Sequence, residues 1–247
     1  QTITNGVDLA GEGGMVWFKN RDEVQDHALF DTSRGAFQYL FSNSTDASWD
    51  GTSNGISTFN SSGFSVNGGD GYVVNDNGDS IASWTFRKAP RFFDVVTYTG
   101  NGTASREIAH DLGVAPGMMI VKRLDSASQW AVYHRSIPTC MSVLNSTANS
   151  YCGTGNGSFG DSSYTNIAPT DSVFTVGSGT EVNGSSATYV AYIFAHDPDG
   201  ENDDGMIACG SYTGNGSDDG PDINLGWEAQ YVLLKRSNSY SGWNILD

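Results

Sequence analysis

The sequence predicts an all-β chain of tandem antiparallel β-sandwich domains, jelly-roll or lectin-like in architecture. Three observations carry that expectation: a composition made for strands and tight turns, a shortage of helix-forming runs, and an internal repeat of domain length. Of the 247 residues 31 are Gly, 12% are aromatic and 38% are hydrophobic. That is enough apolar surface for a packed core. Gly, Asn and Asp tolerate the positive φ of hairpin turns. The Ala, Leu, Glu, Lys and Arg that favour helix are sparse.

The repeat is the strongest of the three. Gly14-Met-Val-Trp-Phe-Lys-Asn-Arg-Asp22, Gly117-Met-Met-Ile-Val-Lys-Arg-Leu-Asp125 and Gln230-Tyr-Val-Leu-Leu-Lys-Arg-Ser-Asn238 share one pattern: an apolar run, a Lys, a second basic residue, then Asp or Asn. Eight positions after Lys19, Lys122 and Lys235 stand His27, Trp130 and Trp243, without gaps. A fixed offset between two apolar runs across a polar turn predicts a β-hairpin. Asn43-Ser-Thr45 recurs as Asn145-Ser-Thr147, and Gly63-Phe-Ser-Val66 resembles Val173-Phe-Thr-Val176. Ser83-Trp-Thr-Phe86 matches Ala191-Tyr-Ile-Phe194, and Phe93–Gly102 matches Ile207–Gly216. The spacing of about 103 to 114 residues exceeds that of solenoids and propeller blades and suits whole domains.

In the second repeat the predicted strands are about 93–99, 105–110, 117–123, 129–135, 141–146, 172–176 and 187–196. Some runs are apolar on both faces and others alternate, which suits the central and outer strands of packed sheets. Short Gly-rich connections leave no room for crossover helices, so the order is antiparallel. An immunoglobulin-like sandwich is the alternative, weakened by the absence of the Cys-Trp-Cys spacing. Pro90 and the acidic stretch 197–205 mark the joints. The units expected are 1–92, with its start truncated, 93–205, and the opening strands of a third at 206–247.

The formal net charge of −16 argues against nucleic acid and against anionic membrane surfaces. No segment approaches the roughly 20 apolar residues of a membrane span. Three cysteines, Cys140, Cys152 and Cys209, do not make a disulfide framework, and a pairing of Cys140 with Cys152 across a hairpin is the lesser reading.

Tyr98-Thr-Gly-Asn-Gly102, His110-Asp-Leu-Gly-Val-Ala-Pro-Gly117, Met118-Met-Ile-Val-Lys-Arg123 and Trp130-Ala-Val-Tyr-His134 together resemble tandem domains of large virion proteins of marine bacteriophages, tail-fibre or other structural components. The third unit departs: Asn224-Leu-Gly-Trp227 keeps Leu-Gly without the His and the Pro. The resemblance implies a virion or extracellular location, repeated β-domains and assembly with other virion proteins. It brings no catalytic residues.

Local chemistry points the same way. No Gly-x-Ser-x-Gly nucleophile elbow occurs, and the four histidines lack metal-ligand spacing. His134 corresponds to Asp31 and Asp247, so a polar strand-end role fits better than catalysis. The expectation is therefore a non-enzymatic fibre component; the alternative is a polysaccharide depolymerase, whose paired carboxylates cannot be picked out among 28 acidic residues. Uncovered sandwich edges predict a homo-oligomer, a trimer or a filament. Asp197, Asp199, Glu201 and Asp203 form an alternating carboxylate loop suited to calcium, against the plainer reading of a solvated acidic linker. Trp49, Tyr151 and Tyr240 sit among polar turn residues and are the candidates for binding a host surface glycan.

Overall fold

The structure is a computed structural model that describes residues 1–51, 53–68, 74–152, 158–160, 167–198 and 207–247. The first unit holds β1 (Thr2–Thr4), β2 (Gly14–Asn20), β3 (Ala28–Asp31), β4 (Gln38–Phe41), β5 (Trp49–Asp50), β6 (Gly55–Asn60), β7 (Gly63–Asn67) and β8 (Ile81–Arg87). The second holds β9 (Phe93–Thr99), β10 (Arg106–Ala109), β11 (Met118–Arg123), β12 (Ala131–His134), β13 (Cys140–Val143), β14 (Tyr151–Cys152), β15 (Val173–Val176), the one-turn helix α1 (Thr180–Asn183) and β16 (Thr188–Phe194). A last hairpin joins β17 (Val232–Lys235) and β18 (Trp243–Leu246).

The chain is all-β apart from α1, and every ladder among the described residues is antiparallel. Each full unit has a large and a small sheet. The large sheets run β5-β4-β3-β2-β8 and β14-β13-β12-β11-β16-β9; the small ones run β1-β7-β6 and β10-β15. The registers coincide. Lys19 lies opposite Ala82 as Lys122 lies opposite Val190, and Trp17–Trp84 corresponds to Ile120–Tyr192. In the third hairpin Lys235 lies opposite Trp243, which continues the offset of eight read from the sequence.

Alternation along the large-sheet strands feeds two cores at once. In β2, Val16 and Phe18 face the small sheet beside Phe30, Ile56 and Phe64. Met15 and Trp17 face the other way. In β11, Met119 and Val121 face the small sheet with Ile108, Phe174 and Val182, while Ile120 turns outward. The outward faces of both units meet in one central core, where Phe86 packs on Phe93 at 5.7 Å and on Phe194 at 5.4 Å. Tyr231, Trp243 and Ile245 of the third hairpin close on the same core. Both faces of each large sheet are thus covered, which explains runs such as Tyr189–Phe194 that are apolar throughout.

Three elements escape the sequence reading. The edge strands β5 and β14 are two residues long, too short to show a period. Helix α1 is set by its surroundings: Asn183 is buried and donates to Thr103 O (2.6 Å) and Gly177 O (2.9 Å). A disulfide joins Cys140 to Cys152, directly opposite across β13 and β14. Gln38 and Asp50 hold the corresponding places in the first unit.

Candidate functional site

The feature that repeats most closely is the joint between successive units. On one side lies the loop after β4 or β13, carrying Asn43-Ser-Thr45 or Asn145-Ser-Thr147. On the other lies the hairpin turn of the next unit. At the first joint Ser128 N donates to Thr45 O (2.8 Å) and Ser48 N to Leu124 O (2.8 Å). At the second Ser241 N donates to Thr147 O (2.8 Å) and Ser150 N to Ser237 O (2.9 Å). The indole Nε1 of Trp130 donates to Phe41 O (3.1 Å) and Ser44 O (2.9 Å). That of Trp243 donates to Val143 O (2.9 Å). The same positions of the repeat supply donor and acceptor each time.

Asn43 and Asn145 brace their own hairpins from below. Asn43 Oδ1 accepts from His27 N (2.9 Å) and Asn145 Oδ1 from Trp130 N (3.0 Å). The repeat lysine completes the joint. Lys122 is fully buried, lies 6.0 Å from the centre of the Trp130 ring, and donates to Thr45 O (3.2 Å) and Arg123 O (2.8 Å). Burial pulls its pKa down to about 8, partly opposed by Asp46. Lys235 sits 5.9 Å over Trp243 and bonds Ser241 O. Arg123 pairs with Asp125 at 2.7 Å, the ion pair across the turn that its position suggests.

A buried polar triad pins the two large sheets together. Arg34 Nε meets Asp31 at 2.6 Å, Tyr192 OH donates to Asp31 (2.8 Å), and Arg34 Nη2 donates to Tyr192 OH (3.1 Å). Burial opposes the Arg34 charge, yet Asp31 and Tyr192 hold its pKa above the usual value. Asp31, the counterpart of His134, is therefore a structural carboxylate. Asp94 is buried as well, with Lys88 at 2.8 Å and the amides of Val95 and Asp111 on its oxygens.

Trp49, Tyr151 and Tyr240 are 49%, 52% and 76% exposed. The first two hold equivalent places on the edge strands β5 and β14, and Trp49 stacks on Tyr39 with 9° between ring planes. Each ring adjoins a residue of a joint: Ser48, Ser150 and Ser241. The sequence reading found these rings individually and missed that they mark one recurring place. The signal lay in the recurring Asn-Ser-Thr loop. The acidic loop divides differently. Both oxygens of Asp197 accept from Arg91, at 2.7 and 2.9 Å, so this carboxylate forms an ion pair. Asp199, Glu201 and Asp203 lie outside the described residues. Among the described residues no cluster of three His, Cys, Asp or Glu could hold a metal, and no helix is long and apolar enough to cross a membrane.

A family model described as a domain of unknown function, DUF7483, matches residues 2–247. No curated protein and no solved structure matches. The chain belongs to the DUF7483 family.

Proposed function

From the repeated joint and the resemblance of the repeat motifs to virion domains, we propose that this chain is a non-enzymatic structural module of a bacteriophage virion, tail-fibre-like, that builds a fibre or decoration by repeating one docking interface. Its joint-rim aromatic rings attach it to host surface carbohydrate. The observation that carries the proposal is the reuse, at both joints, of the same backbone and indole hydrogen bonds. An interface formed twice between different sequences is a rule for stacking units, and stacking is what a fibre needs. The joint is formed from carbonyls, amides and an indole, with the Lys122 ammonium at the first, which lets a chain of net charge −16 assemble without opposing like charges. The buried carboxylates also fit a structural role. Among the described residues these are Asp31, Asp94 and Asp197, and each is tied to Arg34, Lys88 or Arg91.

Trp49 and Tyr151 present flat apolar faces at a spacing set by the repeat, so weak contacts gain by avidity. The test is a glycan array read with the multimeric protein and with Trp49→Ala/Tyr151→Ala. Binding that falls at least tenfold in the double variant supports attachment. Binding unchanged by it, or no bound glycan, leaves the scaffold role alone. Light scattering that shows a monomer at high concentration would count against assembly.

A further inference from the structure

We propose that the groove between the first and second units, beside the first joint, is a binding site for a small neutral saccharide. The groove measures about 630 Å³, within the roughly 300–1,000 Å³ of small-molecule sites. Both units contribute to its walls: Arg34, Gln38 and Ser48 come from the first, Thr97, Thr99 and Thr188 from the second. The second wall arises from one change of residue type along two paired strands. Phe93 and Val95 of β9, and Val190, Tyr192 and Phe194 of β16, belong to the central core. The same faces continue as Thr97 and Thr99 on β9 and as Thr188 on β16, with Thr99 directly opposite Thr188. The apolar face thus ends in three hydroxyls on exposed residues.

Those hydroxyls and the side-chain amide of Gln38 make no hydrogen bond among the described residues. Water serves them instead, and sugar hydroxyls, which both donate and accept, can take its place. Arg34 adds a buried donor, its side chain being 4% exposed. A guanidinium has five N–H donors. Nε goes to Asp31, one N–H of Nη1 to Ser48 Oγ (3.3 Å), and Nη2 to Leu29 O and Tyr192 OH. The second N–H of Nη1 is unspent among the described residues, on the atom that reaches the groove residue Ser48. Asp31 cancels the Arg34 charge, and no carboxylate lines the groove in a chain with 28 acidic residues. Neutral donors and acceptors in that number select a polyhydroxylated ligand without charge.

Stacking of the units does not account for this lining. The backbone and indole bonds of the joint recur at the second joint, and the lining does not. Fifteen positions after the repeat lysine stands Arg34 in the first unit and Ile137 in the second. Cys140, held in the disulfide, takes the place of Gln38. The groove is also separate from the joint-rim rings. Trp49 stacks on Tyr39, which packs on the core beneath the small sheet, so Trp49 lies across the large sheet from Gln38. The two sites therefore stand or fall independently.

Glucose, galactose, mannose, N-acetylglucosamine and lactose, each added at millimolar concentration to the isotope-labelled chain, test this by nuclear magnetic resonance. At least one sugar should shift the amides of 33–34, 97–99 and 188–189 and the side-chain amide of Gln38. Thr97→Val/Thr188→Val removes two hydroxyls from exposed positions and keeps the β-branching. It should leave the melting temperature in place and weaken binding about tenfold or more. Trp49→Ala should leave the affinity unchanged. No shift with any of the sugars would overturn the site. So would shifts confined to other residues, binding that survives the valine pair, or binding lost in Trp49→Ala. Glucuronate or inorganic phosphate bound at the same amides more tightly than every neutral sugar would assign the groove to an anion held by Arg34 and overturn the ligand class.

Discussion

Lys122 is the residue on which the joint's chemistry turns. It is fully buried, yet its ammonium finds only carbonyl oxygens and an indole face. In the unfolded chain a lysine holds its proton to near pH 10.5; folded, Lys122 releases it near pH 8. Between these values the unfolded state binds more protons, so stability rises with pH, by up to ~3 kcal/mol across the window. As pH falls through 8 that gain is lost. The buried tyrosines act in the opposite direction above pH 10, because Tyr98 and Tyr192 are held protonated well beyond their ordinary range by burial. Urea midpoints between pH 8 and 9.5 should therefore climb, and Lys122→Met should flatten most of the slope, leaving the smaller contribution of Lys235, which burial also lowers. The lysine itself was legible from the repeat. Its burial was not, because the carbonyl that receives it, Thr45 O, lies 77 residues away.

At the scale of elements, the hairpins read correctly from the sequence because their register is local: a lysine, a polar turn, and an aromatic residue eight positions on. The edge strands and the second layer depend on distant partners. β10 pairs with β15, from which β11 to β14 separate it in the sequence, and α1 exists because Asn183 and Gly184 meet the Gly100–Thr103 turn. The joint tryptophans separate the contributions of the elements. Trp130→Phe leaves Phe41 O and Ser44 O without their indole donor in a buried place and should cost about 1–3 kcal/mol of global stability. Trp243→Phe makes the same chemical change on a hairpin held by one face. It should raise amide exchange in β17 and β18 while the urea midpoint of the rest moves little. A uniform loss in both variants would show that the third hairpin is as firmly integrated as the second unit.

For the molecule as a whole, the repeat was evident in sequence, but separate sandwiches and shared cores share one pattern of apolar residues. Runs apolar on both faces, such as Met118–Val121, state that both sides are covered and not by what. The structure answers with a common core and one polar triad across it. Unfolding should then be a single transition for both units. Asp31→Asn keeps the shape but leaves Arg34 buried without its counter-charge, and should cost about 3 kcal/mol or more. That loss should lower the denaturation midpoint of tryptophan fluorescence and of far-ultraviolet circular dichroism equally. Two separated transitions would mean that the units are energetically independent despite the shared face.

The disulfide gives the chain a mechanical asymmetry. If the chain is pulled along its length, as the proposed fibre role requires, the covalent clasp between Cys140 and Cys152, with a sequence separation of 12, holds back a stretch that no pulling force can draw out. The first unit, with Gln38 and Asp50 at those places, has no such reserve. At about 3.4 Å per residue the clasp withholds about 40 Å of length. In a single-molecule pulling experiment the oxidised chain should therefore reach full extension about 40 Å short of the reduced one, with the whole difference in the second unit. Both units yield together across the shared core, and the clasped one then extends less than the unclasped one.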